Sequence, residues 1–184
     1  AKLVRLHDSD MIAEIGRDTY RHILQTIFSF QLTVTLRYDI PYTGTFFQYR
    51  GSMLNWCPVG RSADAAARDE WIQFDREYEI RSHYIKELKD FIKKKNYKVD
   101  VALGGSTSFD IYPSGWDKTY VVNHLGDFEK IMFVGDKCTP GGNDYHLYDL
   151  LSGMDEHQSY SVDSPTDTIG VIEKIKQELN GTAQ

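Results

Sequence analysis

Ile131-Met132-Phe133-Val134-Gly135-Asp136-Lys137, followed by Thr139-Pro140-Gly141-Gly142-Asn143-Asp144, is the stretch on which the fold turns. Four apolar residues without alternation predict a strand buried on both faces, the usual state of a strand in a parallel sheet. The run stops at Gly135 and leaves Asp136 at the carboxyl end of the strand. Pro140 and two glycines then make a turn, and Asn143-Asp144 lead into a helix. Open α/β sheets bind ligands outside the carboxyl ends of their strands. Asp136 and Asp144, on either side of the glycine turn, can therefore converge on a hard cation such as Mg2+, which prefers oxygen ligands. The plainer reading of the same residues is a strand-end Asp and a routine turn that caps the next helix.

Outward from this stretch the chain divides by pattern. From Trp116 on, a helix to about Leu125, the strand, a helix, a short strand over Ser159 to Val162 and a helix from Thr166 to Leu179 give the alternation of an α/β domain. Before it the order differs. Apolar residues at Ile12, Ile15, Tyr20, Ile23, Leu24 and Ile27 predict an amphipathic helix from Ser9 to Phe30, with Ser9 or Asp10 as its N-cap. Gln31 to Arg37 alternates and reads as a strand or an irregular extension.

Two strands follow, Thr45 to Arg50 and Met53 to Val59, joined at Gly51-Ser52. A helical region from Asp64 to Lys95 carries a break near Asp75 to Glu77, and its closing Lys93-Lys94-Lys95 suits a helix carboxyl end. Val99 to Leu103 and Thr107 to Tyr112 form a second hairpin around Gly104-Gly105. This first part is an α+β layer with an antiparallel sheet, and the change of pattern puts a domain boundary near Ser114 to Trp116.

Bulk properties narrow the function. The 184 residues are 41% hydrophobic and 26% charged, ordinary for a soluble globular protein. A net charge of -6 leaves no surplus of Lys and Arg for broad nucleic-acid binding. Cys57 and Cys138 form no Cys-x-x-Cys pair, which fits a reducing compartment and gives no zinc signature. No signal core or membrane-length apolar stretch occurs, so a cytoplasmic location is expected. The chain opens on Ala1 without an initiator methionine, and a piece of a longer protein is expected.

Three groups of residues carry chemistry. Strand alternation puts Ser106, Ser108 and Asp110 on one face of their strand and Thr107, Phe109 and Ile111 on the other. With the apolar set inward, a row of hydroxyls and a carboxylate is left exposed, suited to sugar hydroxyls or simply to solvent. Arg50, Arg61 and Arg68 lie within nineteen residues near one end of a hairpin. Guanidinium forks suit a phosphate; the plainer alternative is three surface arginines paired with Asp64, Asp69 or Glu70. Lys118 begins a helix, where a cation opposes the helix dipole. A nearby phosphate or carboxylate explains it, as does an ordinary solvated lysine. The six histidines have no metal-ligand spacing, and no Gly-x-Ser-x-Gly supports a serine nucleophile.

Taken jointly, Gly44-Thr45-Phe46, Arg50, Met53-Leu54-Asn55, Pro58-Val59-Gly60-Arg61-Ser62, Gly104-Gly105, Ser108-Phe109-Asp110, Pro113, Gly115-Trp116-Asp117-Lys118 and Gly135-Asp136-Lys137-x-x-Pro140-Gly141-Gly142-Asn143-Asp144 resemble eukaryotic-type phosphomannomutase, a branch of the haloacid dehalogenase superfamily. The resemblance covers nearly the whole chain. It implies an α/β haloacid dehalogenase-like core, incomplete here, with an α+β cap. Residues 1–9 would be a linker, 10–115 the cap and 116–184 the C-terminal part of the core. It further implies interconversion of mannose 6-phosphate and mannose 1-phosphate with Mg2+ and a sugar 1,6-bisphosphate, feeding GDP-mannose synthesis, by a homodimer paired through its caps. Arg50, Arg61 and Arg68 would hold the distant phosphate, with Ser108 and Asp110 on the sugar phosphate and Asn55 adding a sugar contact. Lys118 would be the core lysine, and Asp136 and Asp144 the acidic pair serving the metal.

Two departures stand against the resemblance. The superfamily's nucleophile motif, Asp-x-Asp-x-Thr/Val, does not occur in these residues. Its first Asp takes the phosphoryl group and its second does acid-base work, so these residues alone are expected to lack mutase activity. Tyr148-Asp149 also shifts an acidic position that the family uses near a second, structural metal. A sugar-phosphate phosphatase of the same fold and a noncatalytic, dimerising or sugar-phosphate-binding fragment remain the alternatives.

Overall fold

The computed structural model describes residues 8–126 and 128–181. The chain falls into two compact units, Ala1–Trp116 and Asp117–Gln184. Most of the expected linker, residues 1–9, lies outside the described residues.

In the larger unit Asp10 is the N-cap: its Oδ1 accepts the N–H groups of Ile12 (2.8 Å) and Ala13 (3.2 Å) at the start of α1, Met11–Ile15. The single long helix expected there is two, because Gly16 (φ 81°) ends α1 and α2 starts at Arg17. A second correction concerns its far end. α2 runs Arg17–Arg37, through the segment whose alternation suggested a strand. Ile23, Ile27, Gln31 and Val34 fall on its buried side at helical spacing. Gln31 decides the matter, since its amide donates to the Pro58 carbonyl at 3.0 Å and accepts from the Trp56 indole at 2.7 Å. Those two bonds satisfy a buried amide and a buried indole together.

Four antiparallel strands form the sheet: β1 (Phe47–Tyr49), β2 (Leu54–Trp56), β3 (Val99–Gly104) and β4 (Ser108–Pro113), in the order β1-β2-β4-β3. Each hairpin expected from sequence is present, and the β2–β4 pairing joins them, with Asn55 opposite Asp110. One face packs on the helices. There Trp56 stacks on Phe109 with ring centroids 4.4 Å apart, among Leu54, Ile111, Val101 and Ile27, all buried. Burying one such side chain contributes roughly 1.5–3 kcal/mol.

α3 (Ala65–Tyr78) and α4 (Ile80–Lys95) meet at Glu79, a left-handed residue with φ 50°. The break therefore falls two residues beyond the expected Asp75 to Glu77. Asp75 takes part in it from within α3: its carboxylate accepts the backbone N–H (2.7 Å) and Nε (2.6 Å) of Arg81, and Arg81 Nη1 reaches the Gly105 carbonyl at 2.9 Å.

In the smaller unit a 3-10 helix, Lys118–His124, replaces the expected ordinary helix. Asp117 caps it by accepting from the Thr119 N–H at 2.9 Å. β5 (Met132–Gly135) and β6 (Gln158–Ser161) pair in parallel, with α5 (Tyr145–Ser152) and α6 (Pro165–Gly181). The strand that opened the sequence reading is parallel but not buried on both faces: Met132, Phe133 and Val134 are half-buried and only Gly135 is buried. Among the described residues β5 has β6 as its only strand partner, so part of its apolar surface stays uncovered. No helix among the described residues is long and apolar enough to cross a membrane.

Candidate functional site

The sheet register builds the first cluster. Gln48, Asn55, Asp110 and Ala102 stand in one row across the four strands. Their neighbours along each strand, such as Leu54, Trp56, Phe109 and Ile111, point to the opposite, packed face. Asn55 is only 2% exposed and sits at the hub. Its Nδ2 donates to Asp110 Oδ1 at 2.7 Å and to Ser108 Oγ at 3.0 Å, and its Oδ1 accepts from Arg61 Nη1 at 3.1 Å. The Ser108 hydroxyl donates to the Gly104 carbonyl at 2.6 Å.

Arg68 joins the cluster from α3. Its Nε donates to the Ala63 carbonyl (2.9 Å), its Nη2 to the Arg61 carbonyl (2.8 Å) and its Nη1 to Thr107 Oγ1 (3.3 Å). Arg50 stands apart: its Nε donates to Gln48 Oε1 at 3.2 Å on the outer strand. The structure thus brings Asn55, Arg61, Arg68, Ser108 and Asp110 together, with Arg50 just beyond the same strand face. None of the three arginines pairs with Asp64, Asp69 or Glu70 in the ion pairs of the described residues. Asp64 instead caps α3 through the Ala67 N–H at 2.9 Å.

Two expectations need correction. The row of exposed hydroxyls is not one: Ser108 is buried and Asp110 half-buried, because the amide of Asn55 lies against both. Thr107, assigned to the apolar face, holds Arg68. Alternation fails there because Thr107 belongs to the turn before β4. Arg81 was missed altogether, although it fixes the Gly105 carbonyl in the same turn.

The second cluster lies in the smaller unit. Asp144, 4% exposed, accepts a hydrogen bond from the Lys118 ammonium on Oδ1. Its Oδ2 accepts the N–H groups of Asp136 (3.2 Å) and Lys137 (3.1 Å). The turn can close because residue 142 has no side chain; a Cβ there would lie 2.1 Å from the Lys137 carbonyl oxygen. Burial raises the Asp144 pKa, but the bond to Lys118, the Lys137 N–H and the lysine charge outweigh it and hold the carboxyl below its ordinary value. Lys118 therefore has a carboxylate partner. Asp136 stays exposed at the strand end. The Cys138 thiol beside them is pushed up by burial, the bond to Ser161 and the lysine charge opposing and the two aspartates adding to the rise, so it stays protonated.

The donor set here is hard oxygen, which fits Mg2+, but it is small: no group of three or more His, Cys, Asp or Glu that could hold a metal occurs among the described residues. Tyr148 and Asp149 both lie inside α5 rather than in a loop.

Comparison with known proteins bears on the family of the chain. The family profile for eukaryotic phosphomannomutase matches residues 3–178. The phosphomannomutase of Schizosaccharomyces pombe is 37% identical over 175 residues, 93% of this chain and 64% of that protein. Those of Saccharomyces cerevisiae and Arabidopsis thaliana are 33% and 39% identical, over 92% and 79% of this chain. The chain spans about six-tenths of the length of these relatives. Among solved structures, an N-terminally truncated Plasmodium falciparum IMP-nucleotidase superposes with a TM-score of 0.51 at 14% identity, over 88% of this chain and 40% of that one. That likeness concerns the fold alone. By profile and by its relatives, the chain belongs to the eukaryotic phosphomannomutase family.

Proposed function

We propose that the chain serves a phosphomannomutase, which interconverts mannose 6-phosphate and mannose 1-phosphate through an aspartyl-phosphate and a sugar 1,6-bisphosphate and so supplies GDP-mannose synthesis in the cytoplasm. One observation carries the reading. Arg61 and Arg68, the second of which donates to the backbone carbonyl of the first, stand beside a carboxylate and a hydroxyl linked through one amide. Guanidinium forks grip a phosphate, and the carboxylate of Asp110, with the hydroxyl oxygen of Ser108 beside it, accepts bonds from sugar hydroxyls. A site for both ends of a sugar phosphate needs these two chemistries side by side.

Each remaining residue has a role in this reading. Arg50 adds positive charge to the phosphate end. Lys118, oriented by Asp144, offsets negative charge on the phosphoryl group in transfer. Asp136 and Asp144 would hold Mg2+, which when bound screens phosphate charge. The buried carboxylate of Asp144 already accepts from Lys118 and two backbone N–H groups, so Asp136 is the more open ligand. Two carboxylates fall short of the six oxygens that Mg2+ takes, and water or further protein ligands must complete the set. The absent Asp-x-Asp-x-Thr/Val leaves these 184 residues without a phosphoryl acceptor, so by themselves they turn over no mannose phosphate. Subunits pair through the larger unit.

The test is calorimetric titration of the 184-residue chain with glucose 1,6-bisphosphate. The unaltered chain binds, and Arg61→Ala weakens binding at least about tenfold. Unchanged affinity in the variant overturns the assignment of this cluster. A measurable turnover of mannose 1-phosphate by the same chain overturns the claim that these residues lack a phosphoryl acceptor.

A further inference from the structure

Arg61 and Asp110 carry opposite charges in one cluster, yet they form no ion pair among the described residues. What lies between them is the Asn55 side chain. Its carbonyl oxygen accepts from the guanidinium (3.1 Å) and its amide nitrogen donates to the carboxylate (2.7 Å). At 2% exposure the amide is fixed rather than mobile, since β2 pairs on both sides and its Nδ2 also lies 3.3 Å from the Phe109 carbonyl.

We propose that Asn55 is a neutral spacer that keeps Arg61 and Asp110 from neutralising one another, so that each meets the ligand with its full charge. The inference rests on the sugar-phosphate reading of this cluster. An amide can do this because it offers an acceptor to the cation and a donor to the anion without a net charge of its own. An aspartate of the same size would pair with Arg61 and cancel the charge that a phosphate needs. It would also set a second carboxylate against Asp110. A purely apolar residue would leave both charged groups without their bonds and favour their direct collapse.

The surroundings match this role. The other side chains bonded within the cluster are Ser108, which is neutral, and Arg68, whose three described bonds go to Ala63, Arg61 and Thr107 oxygens rather than to a carboxylate. Gly104 keeps the space over the anion clear, because a Cβ there would sit 2.8 Å from Asp110 Oδ1 and 2.7 Å from Ser108 Oγ. Asn55 is thus a positioning residue, and its neutrality is the property that matters.

Two substitutions separate charge from shape: Asn55→Asp and Asn55→Ser, each titrated with glucose 1,6-bisphosphate and expressed relative to the unaltered chain at the same pH. Asn55→Asp is expected to bind about tenfold more weakly than Asn55→Ser near neutral pH, and the gap narrows in acid as the carboxylates at positions 55 and 110 take up one proton between them, with Arg61 opposing and their mutual repulsion favouring that uptake. Equal losses in both variants at every pH, or no loss in either, overturn the proposal, since a merely structural bond is not restored by acid. If Asn55→Asp does not fold, the salt dependence decides. Arg61→Ala then flattens the fall of affinity with ionic strength if Arg61 is an uncompensated charge, and an unchanged slope overturns the proposal. Failure of the unaltered chain to bind the bisphosphate removes the sugar-phosphate reading and this inference with it; binding without the charge effect removes this inference alone.

Discussion

A buried carboxylate that stays ionised makes stability depend on acidity, and Asp144 is such a group. Its folded pKa lies below the ordinary value of 3.8, despite burial, because Lys118 and the Lys137 N–H favour the charged form. A depressed carboxyl contributes stability that is present above the unfolded pKa and lost as pH falls through the folded one. The protein should therefore lose stability below about pH 4, with part of that loss traceable to this one residue. Asp144→Asn, compared by urea unfolding at neutral pH and near pH 3, should cost about 1–3 kcal/mol at neutrality and show a shallower acid dependence. An acid slope identical to the unaltered chain assigns the effect to other carboxylates. At this scale the sequence was legible where a residue sits in a dense motif: Asp136, Asp144 and Lys118 stood out, and Lys118 was given a carboxylate partner as one of its two explanations. It was opaque where a role depends on a neighbour far along the chain. The bonds of Asn55 to Ser108, Phe109 and Asp110 cross more than fifty positions, and no local pattern announces them.

Between α3 and α4 a single non-glycine residue takes left-handed geometry, at a cost of roughly 1–2 kcal/mol for an L side chain. Asp75 and Arg81 offset that cost with a pair of charge-assisted bonds, both side chains largely buried at 11% and 14% exposure. Glu79→Gly should raise the urea midpoint, with a gain in unfolding free energy of up to about 1 kcal/mol, because glycine adopts φ 50° freely but also loses more freedom on folding. A lowered midpoint would mean that the Glu79 side chain contributes contacts outweighing its strain. Sequence put the break close by, since the apolar spacing falters there, but its residue depended on which side chain could bridge the two helices. The Gln31 to Arg37 segment shows the opposite failure. Thr-Val-Thr alternation and β-branching favour a strand locally, and the buried bonds of Gln31 to Pro58 and Trp56 overrule it.

At the scale of the molecule the two units differ in how much they bury. Every residue of the main hydrophobic cluster belongs to the larger one. On α2, Phe28, Leu32 and Leu36 fall four apart and are 55%, 60% and 77% exposed, a stripe on the unit proposed to pair subunits. Light scattering should give twice the chain mass of 21.2 kDa for the unaltered protein and the single mass for Leu32→Glu. A dimer that survives this substitution moves the interface elsewhere. The boundary between the units was legible as a switch from strand pairs to helix–strand alternation. The incomplete cover of β5 was not, since four apolar residues look alike whether or not both faces are packed. The stacking of Trp56 on Phe109 has an optical consequence. Trp56 and Trp71 are buried in the larger unit, so their indole emission follows its melting. A denaturation curve read from those two indoles would report the sheet that holds Asn55, while release of Lys118 from Asp144 calls for a probe of its own, a tyrosine or the backbone.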